Sequence, residues 1–183
     1  MKNDNHKLIF DTSAVTELLN ANVLECLAIY KSSAKAQLIL PLDVRVELER
    51  DEVNSKLRKA LEELLEKGLF RVLNPSEETI SELKYRYPNL GNGEIGVLAI
   101  ALTLKKHPSV SVIPILDDEQ ARNVARKLGL EVHGTLWMLF ELKKHHSISK
   151  KVAMKVIKQL PDRGFYILKD KLEEITKKIR KDC

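Results

Sequence analysis

The stretch Leu8-Ile9-Phe10-Asp11-Thr12-Ser13 decides how the chain folds. Three apolar residues run into a carboxylate, two hydroxyl residues follow, and Val15, Leu18 and Leu19 then recur at helical spacing. The pattern predicts a strand covered on both faces that stops at Asp11. A helix follows, its free N–H groups capped by Thr12 or Ser13. Asp11 then stands at the carboxyl end of a central strand, where open α/β sheets place their sites.

The alternation continues outward from there. Gln37 to Pro41 reads as a second strand, and Asp43 is placed to cap a long helix from about Val44 to Lys67. Val53, Leu57, Leu61, Leu64 and Leu65 mark that helix's buried stripe, and Gly68 closes it. Leu69 to Leu73 is a third strand; Pro75-Ser76 opens a short helix that stops before Pro88. Glu94 to Leu102 is apolar nearly all round, which predicts a buried helix packed closely through Gly96, Ala99 and Ala101. Val110 to Leu116 is a fourth strand, where Pro114 points to a sheet edge or a bulge. Gln120 to Leu128 is helical, Leu130 to His133 is a short fifth strand, and Thr135 caps a helix holding Trp137, Met138 and Phe140. Helices from Ser149 to Leu160 and from about Lys169 to Lys181 follow, with a turn and an extended piece over Arg163 to Ile167. Strands alternating with helices predict an α/β fold, a parallel β-sheet with right-handed crossovers.

At 183 residues, 44% apolar and 31% charged, with seven Gly and six Pro, the chain is expected to be one helix-rich domain, 1–183. Its C-terminal part, about 149–183, reads as a basic helical extension. From Glu141 onward thirteen Lys/Arg face six Asp/Glu, a surplus of seven; before it, eighteen face twenty. An acidic body with a basic end suits a polyanion partner steered to a metal site. A solvated, lysine-rich helical surface explains the same charge. Cys26 and Cys183 form no disulfide or zinc framework, so a reducing, cytoplasmic setting is expected. The polar start leads straight into a strand, so no signal peptide is expected, and the longest apolar run, Ile95 to Leu104, is too short for a membrane.

Asp11, Glu47, Glu94 and the pair Asp117-Asp118 each stand at a strand end or near a helix start. Acids at helix starts also complement the helix dipole, which accounts for Glu47 or Glu94 taken singly. A carboxylate ending a buried strand needs a strong partner. Carboxylates gathered without enough basic partners repel, and hard divalent cations such as Mg²⁺ or Mn²⁺ relieve that repulsion. Such a site can hold a phosphate oxygen and activate water. His145-His146 lie among lysines and read as surface residues. Gly91-x-Gly93-Glu94 lacks the Lys-Ser/Thr of a phosphate loop. Ser13 stands where a haloacid dehalogenase-type phosphatase needs an acid, and no acidic pair precedes the first helix as in receiver domains.

Together these residues resemble a PIN domain, over nearly the whole chain. Leu8-Ile9-Phe10-Asp11-Thr12-Ser13 resembles the family's opening strand and first ligand, and Pro41-x-x-Val44-x-x-Glu47-Leu48 its second acidic motif. Gly91-x-Gly93-Glu94-x-x-x-Leu98-Ala99-Ile100-Ala101 resembles the third. Leu116-Asp117-Asp118-x-x-Ala121-Arg122-x-x-Ala125, continued through Leu128-Gly129-Leu130-x-Val132-x-Gly134-Thr135, resembles the fourth. This last string is similar to the predicted nucleic-acid-binding PIN proteins of archaea and bacteria. The resemblance implies a three-layer α/β/α fold with four to five parallel strands between helices. It also implies frequent homodimers and an Mg²⁺ or Mn²⁺ ion held by acids. The activity implied is that of a nuclease, often a ribonuclease that is the toxin of a toxin–antitoxin pair. On this reading Asp11, Glu94 and Asp118 anchor metal, and Glu47 and Asp117 complete the catalytic cluster. Thr12 or Ser13 binds water or phosphate, and Lys150 and Lys151 hold the nucleic-acid backbone. Two departures stand out. Toxin members usually carry Asp where this chain has Glu94, and alignment to the trailing helix favours Asp118 whereas strand register favours Asp117. A catalytically silent module binding nucleic acid or protein is the rival reading.

Overall fold

The computed structural model describes residues 6–50, 55–106, 110–163, 165 and 169–181. Strand β1, His6–Phe10, is the expected opening strand, and Leu8, Ile9 and Phe10 are wholly buried. At roughly 1.5–3 kcal/mol for each fully buried large apolar side chain, this short run is a main hydrophobic anchor. On one side β1 pairs in parallel with β2, Gln37–Pro41, which in turn pairs with β3, Arg71–Leu73. On its other side lies β4, Ser111–Ile115. The sheet order is β3-β2-β1-β4, all parallel, with helices flanking it in a three-layer α/β/α arrangement.

The expected fifth strand is reduced to a single parallel bridge between Ile115 and His133. Only His133 N–H to Pro114 and Leu116 N–H to His133 extend the ladder. Pro114 explains the limit. Its carbonyl faces outward to His133, so its missing N–H falls on the same outer side, and β4 is an edge strand as the proline predicted.

Helix α1, Thr12–Asn20, follows β1 directly and buries Ala14, Val15, Leu18 and Leu19. A 3₁₀ turn at Leu24–Cys26 leads to α2, Leu27–Ser33, an element absent from the sequence reading. The long helix expected after β2 is described as two pieces, α3, Leu42–Arg50, and α4, Ser55–Glu66. Val53 and the side chain of Leu57 lie outside the described residues. Asp43 falls in the first turn of α3 rather than before it. Leu61 is buried as expected, and Gly68, at φ +70°, takes the left-handed conformation that closes α4.

Helix α5, Glu77–Arg86, is capped by Ser76. Helix α6, Asn92–Lys105, buries every residue from Ile95 to Ala101 and packs across β1, β2 and β4, with α3 and α5 against it. Its lack of a polar face is thus a consequence of being covered on several sides. Helices α7, Glu119–Lys127, and α8, Thr135–Lys144, follow β4. Gly134, not Thr135, is the residue before α8. Helices α9, Lys150–Gln159, and α10, Lys169–Lys181, pack on each other, and both pack on α8. Of the expected extended piece, Gly164, Tyr166 and Ile167 lie outside the described residues.

Candidate active site

Successive connections run from β1 to β2 to β3 in one direction, then cross back over β1 to reach β4. The order therefore reverses between β1 and β4. A crevice opens at the carboxyl ends of strands that diverge this way. Asp11 follows the last residue of β1 and Asp117-Asp118 follow β4 by one residue, so the topology delivers three carboxylates to that crevice. A cleft of about 650 Å³ lies there. Asp11, Thr12, Ser13, Glu47, Glu94, Asp117 and Asp118 all line it.

Asp11 is 4% exposed and caps α1 itself, in place of Thr12 or Ser13. One oxygen accepts from the Ala14 N–H at 2.8 Å, and the other from the Ser13 hydroxyl at 2.9 Å. These bonds do not offset its surroundings. Burial first, and then the charge of Asp117, raise its pKa from 3.8 to about 7. The N–H of Ala14, the Ser13 hydroxyl and the N–H of Asp117 pull in the opposite direction.

Glu47 reaches the cleft from the second turn of α3. Its carboxylate accepts from the Thr12 hydroxyl and from the Gly93 N–H, the latter at 2.9 Å. Glycine at 93 is what permits this approach, because a Cβ there would stand 2.7 Å from a Glu47 oxygen. Both hydroxyl protons of the Thr12-Ser13 pair are thus engaged by carboxylates. In this arrangement the pair orients acids rather than donating to a phosphate. Glu94 accepts from the Gly91 N–H at 2.8 Å with one oxygen, and burial raises its carboxyl above the usual range.

The adjacent aspartates divide their roles. Both Asp117 oxygens are held by Thr135, one by its N–H at 2.8 Å and one by its hydroxyl at 2.6 Å. Thr135 is 1% exposed, so this is a buried clamp that fixes the start of α8. Burial raises the Asp117 carboxyl, while Thr135 and Arg122 pull it down. Asp118 caps α7 through one oxygen, accepting from Ala121 N–H at 2.7 Å. Asp118 therefore presents its remaining oxygen to the cleft with less prior engagement than Asp117.

Sequence reading missed Arg122, Glu17 and Glu119, which also line the cleft. Arg122 donates through one nitrogen to the carbonyls of Leu116 and Asp117, at 3.1 and 2.5 Å. The Asp-Asp-x-x-x-Arg spacing carried the signal, since a helix brings its fourth residue back over the preceding strand end. Lys150 and Lys151 do not line the cleft; the Lys150 amine bonds the Arg180 carbonyl at 2.6 Å.

A family model described as a PIN domain matches residues 7–181. The chain belongs to the PIN domain family. Its match takes in all of the described strands except the first residue of β1, and α9 and α10 as well. No curated protein matches the chain. PIN domains are in general nucleases that use divalent metals. Among the described residues of this PIN domain, no three His, Cys, Asp or Glu side chains are gathered closely enough to hold a metal ion between them. The donor chemistry nevertheless fits such an ion. All donors are hard oxygens, and burial beside Asp117 disfavours the charged form of Asp11, a cost that a bound cation would offset. Mg²⁺ commonly takes only one or two carboxylates and keeps several waters, so a closed cage is not required. Among the described residues no helix is long and apolar enough to cross a membrane.

Proposed function

We propose that this PIN domain is an Mg²⁺- or Mn²⁺-dependent endonuclease that hydrolyses phosphodiester bonds, RNA being the favoured substrate. One observation carries the reading: seven carboxylates from four separate stretches of chain line one crevice at the strand-order reversal, facing a single guanidinium. Such a crevice repels a polyanion until a cation enters it.

Asp11, Glu94 and Asp118 would hold the ion, one or two of them directly and the rest through its waters, each having an oxygen or a lone pair beyond its hydrogen bonds to the chain. When bound, the ion supplies Lewis acidity, screening phosphate charge and lowering the pKa of attacking water. The protein's own residues do the rest. Glu47, fixed by Thr12 and Gly93, is positioned to accept a proton from water. Ser13 and the Ala14 N–H hold Asp11 in one orientation. Asp117 sets the floor of the cleft through Thr135 and Arg122 instead of ligating. Lys150 and Lys151 act as outlying charges that draw in the backbone. We treat 1–183 as one cytoplasmic, dimer-forming domain in which 149–183 supplies the basic surface.

The test is cleavage of single-stranded RNA and DNA of matched sequence with Mg²⁺, Mn²⁺ or EDTA. Cleavage should need metal and favour RNA; cleavage that persists in EDTA overturns the metal reading. A catalytically silent binding module is the second reading, favoured by the open spacing of the carboxylates and the engagement of Glu94 in capping. Binding without cleavage under either metal would establish it. The toxin setting would gain support from a neighbouring gene whose small DNA-binding product co-purifies and inhibits.

A further inference from the structure

A second groove, of about 420 Å³, opens beside the acid cleft and shares Asp117, Glu119, Arg122 and Phe165 with it. Its character is different. The cleft wall carries seven carboxylates and one guanidinium, whereas the groove wall carries four Lys/Arg and three carboxylates. One of those three, Glu174, is already paired with Lys171 at 3.1 Å and Lys178 at 2.8 Å, so that corner keeps one positive charge. Arg126 stands exposed on α7, on the same wall. The same groove is lined by two flat rings: His133 and Trp137 stack with centroids 4.2 Å apart and planes 8° from parallel.

We propose that this groove is a base-stacking subsite for a single-stranded nucleic acid, seating an unpaired base against the Trp137–His133 pair while Arg126 and Lys178 hold its flanking phosphates. The inference rests on the nuclease reading only for what happens next door; the binding itself needs no metal. Sequence-tolerant single-strand sites combine a cationic groove with aromatic rings on which bases stack. Continuity through Arg122 and Phe165 lets one strand lie in both depressions at once, with its scissile phosphate at the acids and a neighbouring base on the rings. A duplex cannot do this without unstacking a base.

Trp137 is the chain's single tryptophan, so its emission reports this site alone. The full chain in EDTA, titrated with a single-stranded RNA of about ten nucleotides, should show saturable quenching. The apparent affinity should fall with salt by roughly 0.7 log units per log unit for each phosphate held. A fully paired RNA of equal length should quench little. Reversing two exposed charges, Arg126→Glu with Lys178→Glu, should weaken binding about tenfold or more. Trp137→Ala, followed by anisotropy of a labelled strand, should weaken it roughly 5- to 100-fold. The charge-reversed protein keeps the test valid if Trp137→Ala melts early. Emission unmoved by the single strand, equal quenching by duplex, or quenching indifferent to salt overturns the proposal. Quenching without any metal-dependent cleavage leaves the subsite standing and removes the nuclease reading. Cleavage with an unchanged KM in the charge-reversed protein does the reverse.

Discussion

Replacing Asp11 by asparagine separates the cost of a buried charge from its use. In the metal-free protein the Asp11 carboxyl titrates near 7, against 3.8 without its surroundings. A folded pKa above the unfolded one means that the native state binds the proton more tightly. Its stabilising contribution is complete below 3.8 and is lost as pH rises through about 7. Three pH units correspond to about 4 kcal/mol, an upper figure because Asp117 relaxes as Asp11 neutralises. Asparagine preserves the local bonds: its carbonyl accepts from Ala14, and its amide donates to Ser13, whose hydroxyl reverses. In EDTA at pH 8, Asp11→Asn should therefore be more stable than wild type by about 2–4 kcal/mol, and near pH 4 the two should coincide. With Mg²⁺ present the order should narrow or invert, because only the wild type gains binding energy from the ion. RNA cleavage should drop at least about 100-fold. Urea denaturation at several pH values, with and without Mg²⁺, reads the first part, and a cleavage assay the second. Wild-type stability that is flat from pH 4 to 8, or a folded Asp11→Asn protein of full activity, would refute the reasoning.

Four further changes probe the site and its surroundings. Gly93→Ala places a methyl 2.7 Å from a Glu47 oxygen; melting should reveal a loss of about 1–3 kcal/mol, with cleavage falling up to about 100-fold as Glu47 is displaced. Thr135→Val leaves one buried Asp117 oxygen without its donor, so urea denaturation should show a loss of about 1–3 kcal/mol. That loss should deepen as pH rises, because the Asp117 carboxyl is pushed further up. Glu94→Gln keeps an acceptor for Gly91 but removes a charge that burial disfavours; melting in EDTA at pH 8 should be no lower, while cleavage falls at least about tenfold. Charge reversal at Lys150 and Lys151 should weaken binding to all sequences alike and by less than the Arg126/Lys178 reversal, with the difference vanishing at high salt.

What could be read from the sequence was what depends on local pattern. The apolar runs at Leu8–Phe10 and Leu38–Leu40 announced parallel strands because both faces of each are covered. The four acidic positions were legible because each sits at a junction between elements. Errors arose where tertiary neighbours decide. Leu130 to His133 has strand-like composition, but Pro114 withholds the donor that a full ladder would need. Asp11 took the cap from Thr12 because Thr12 is drawn away to Glu47. The clamp between Asp117 and Thr135 spans eighteen positions, and Gly134 admits it because it has no Cβ, which would stand 2.7 Å from an Asp117 oxygen. Periodicity alone carries no such information.

The outer strands restrict how copies of this protein can meet. A sheet edge recruits another chain through a row of open donors and acceptors. At one border β3 offers only three residues. At the other, β4 lacks a donor at Pro114 and is partly occupied by His133. Neither border can template a continuous sheet from one molecule to the next, so growth into fibres is blocked at both ends. Association is left to helical surfaces such as α5, where Tyr85 is 90% exposed. A proline that looked like a flaw in the middle of a strand thus removes a donor that a neighbouring copy would need to pair with this edge.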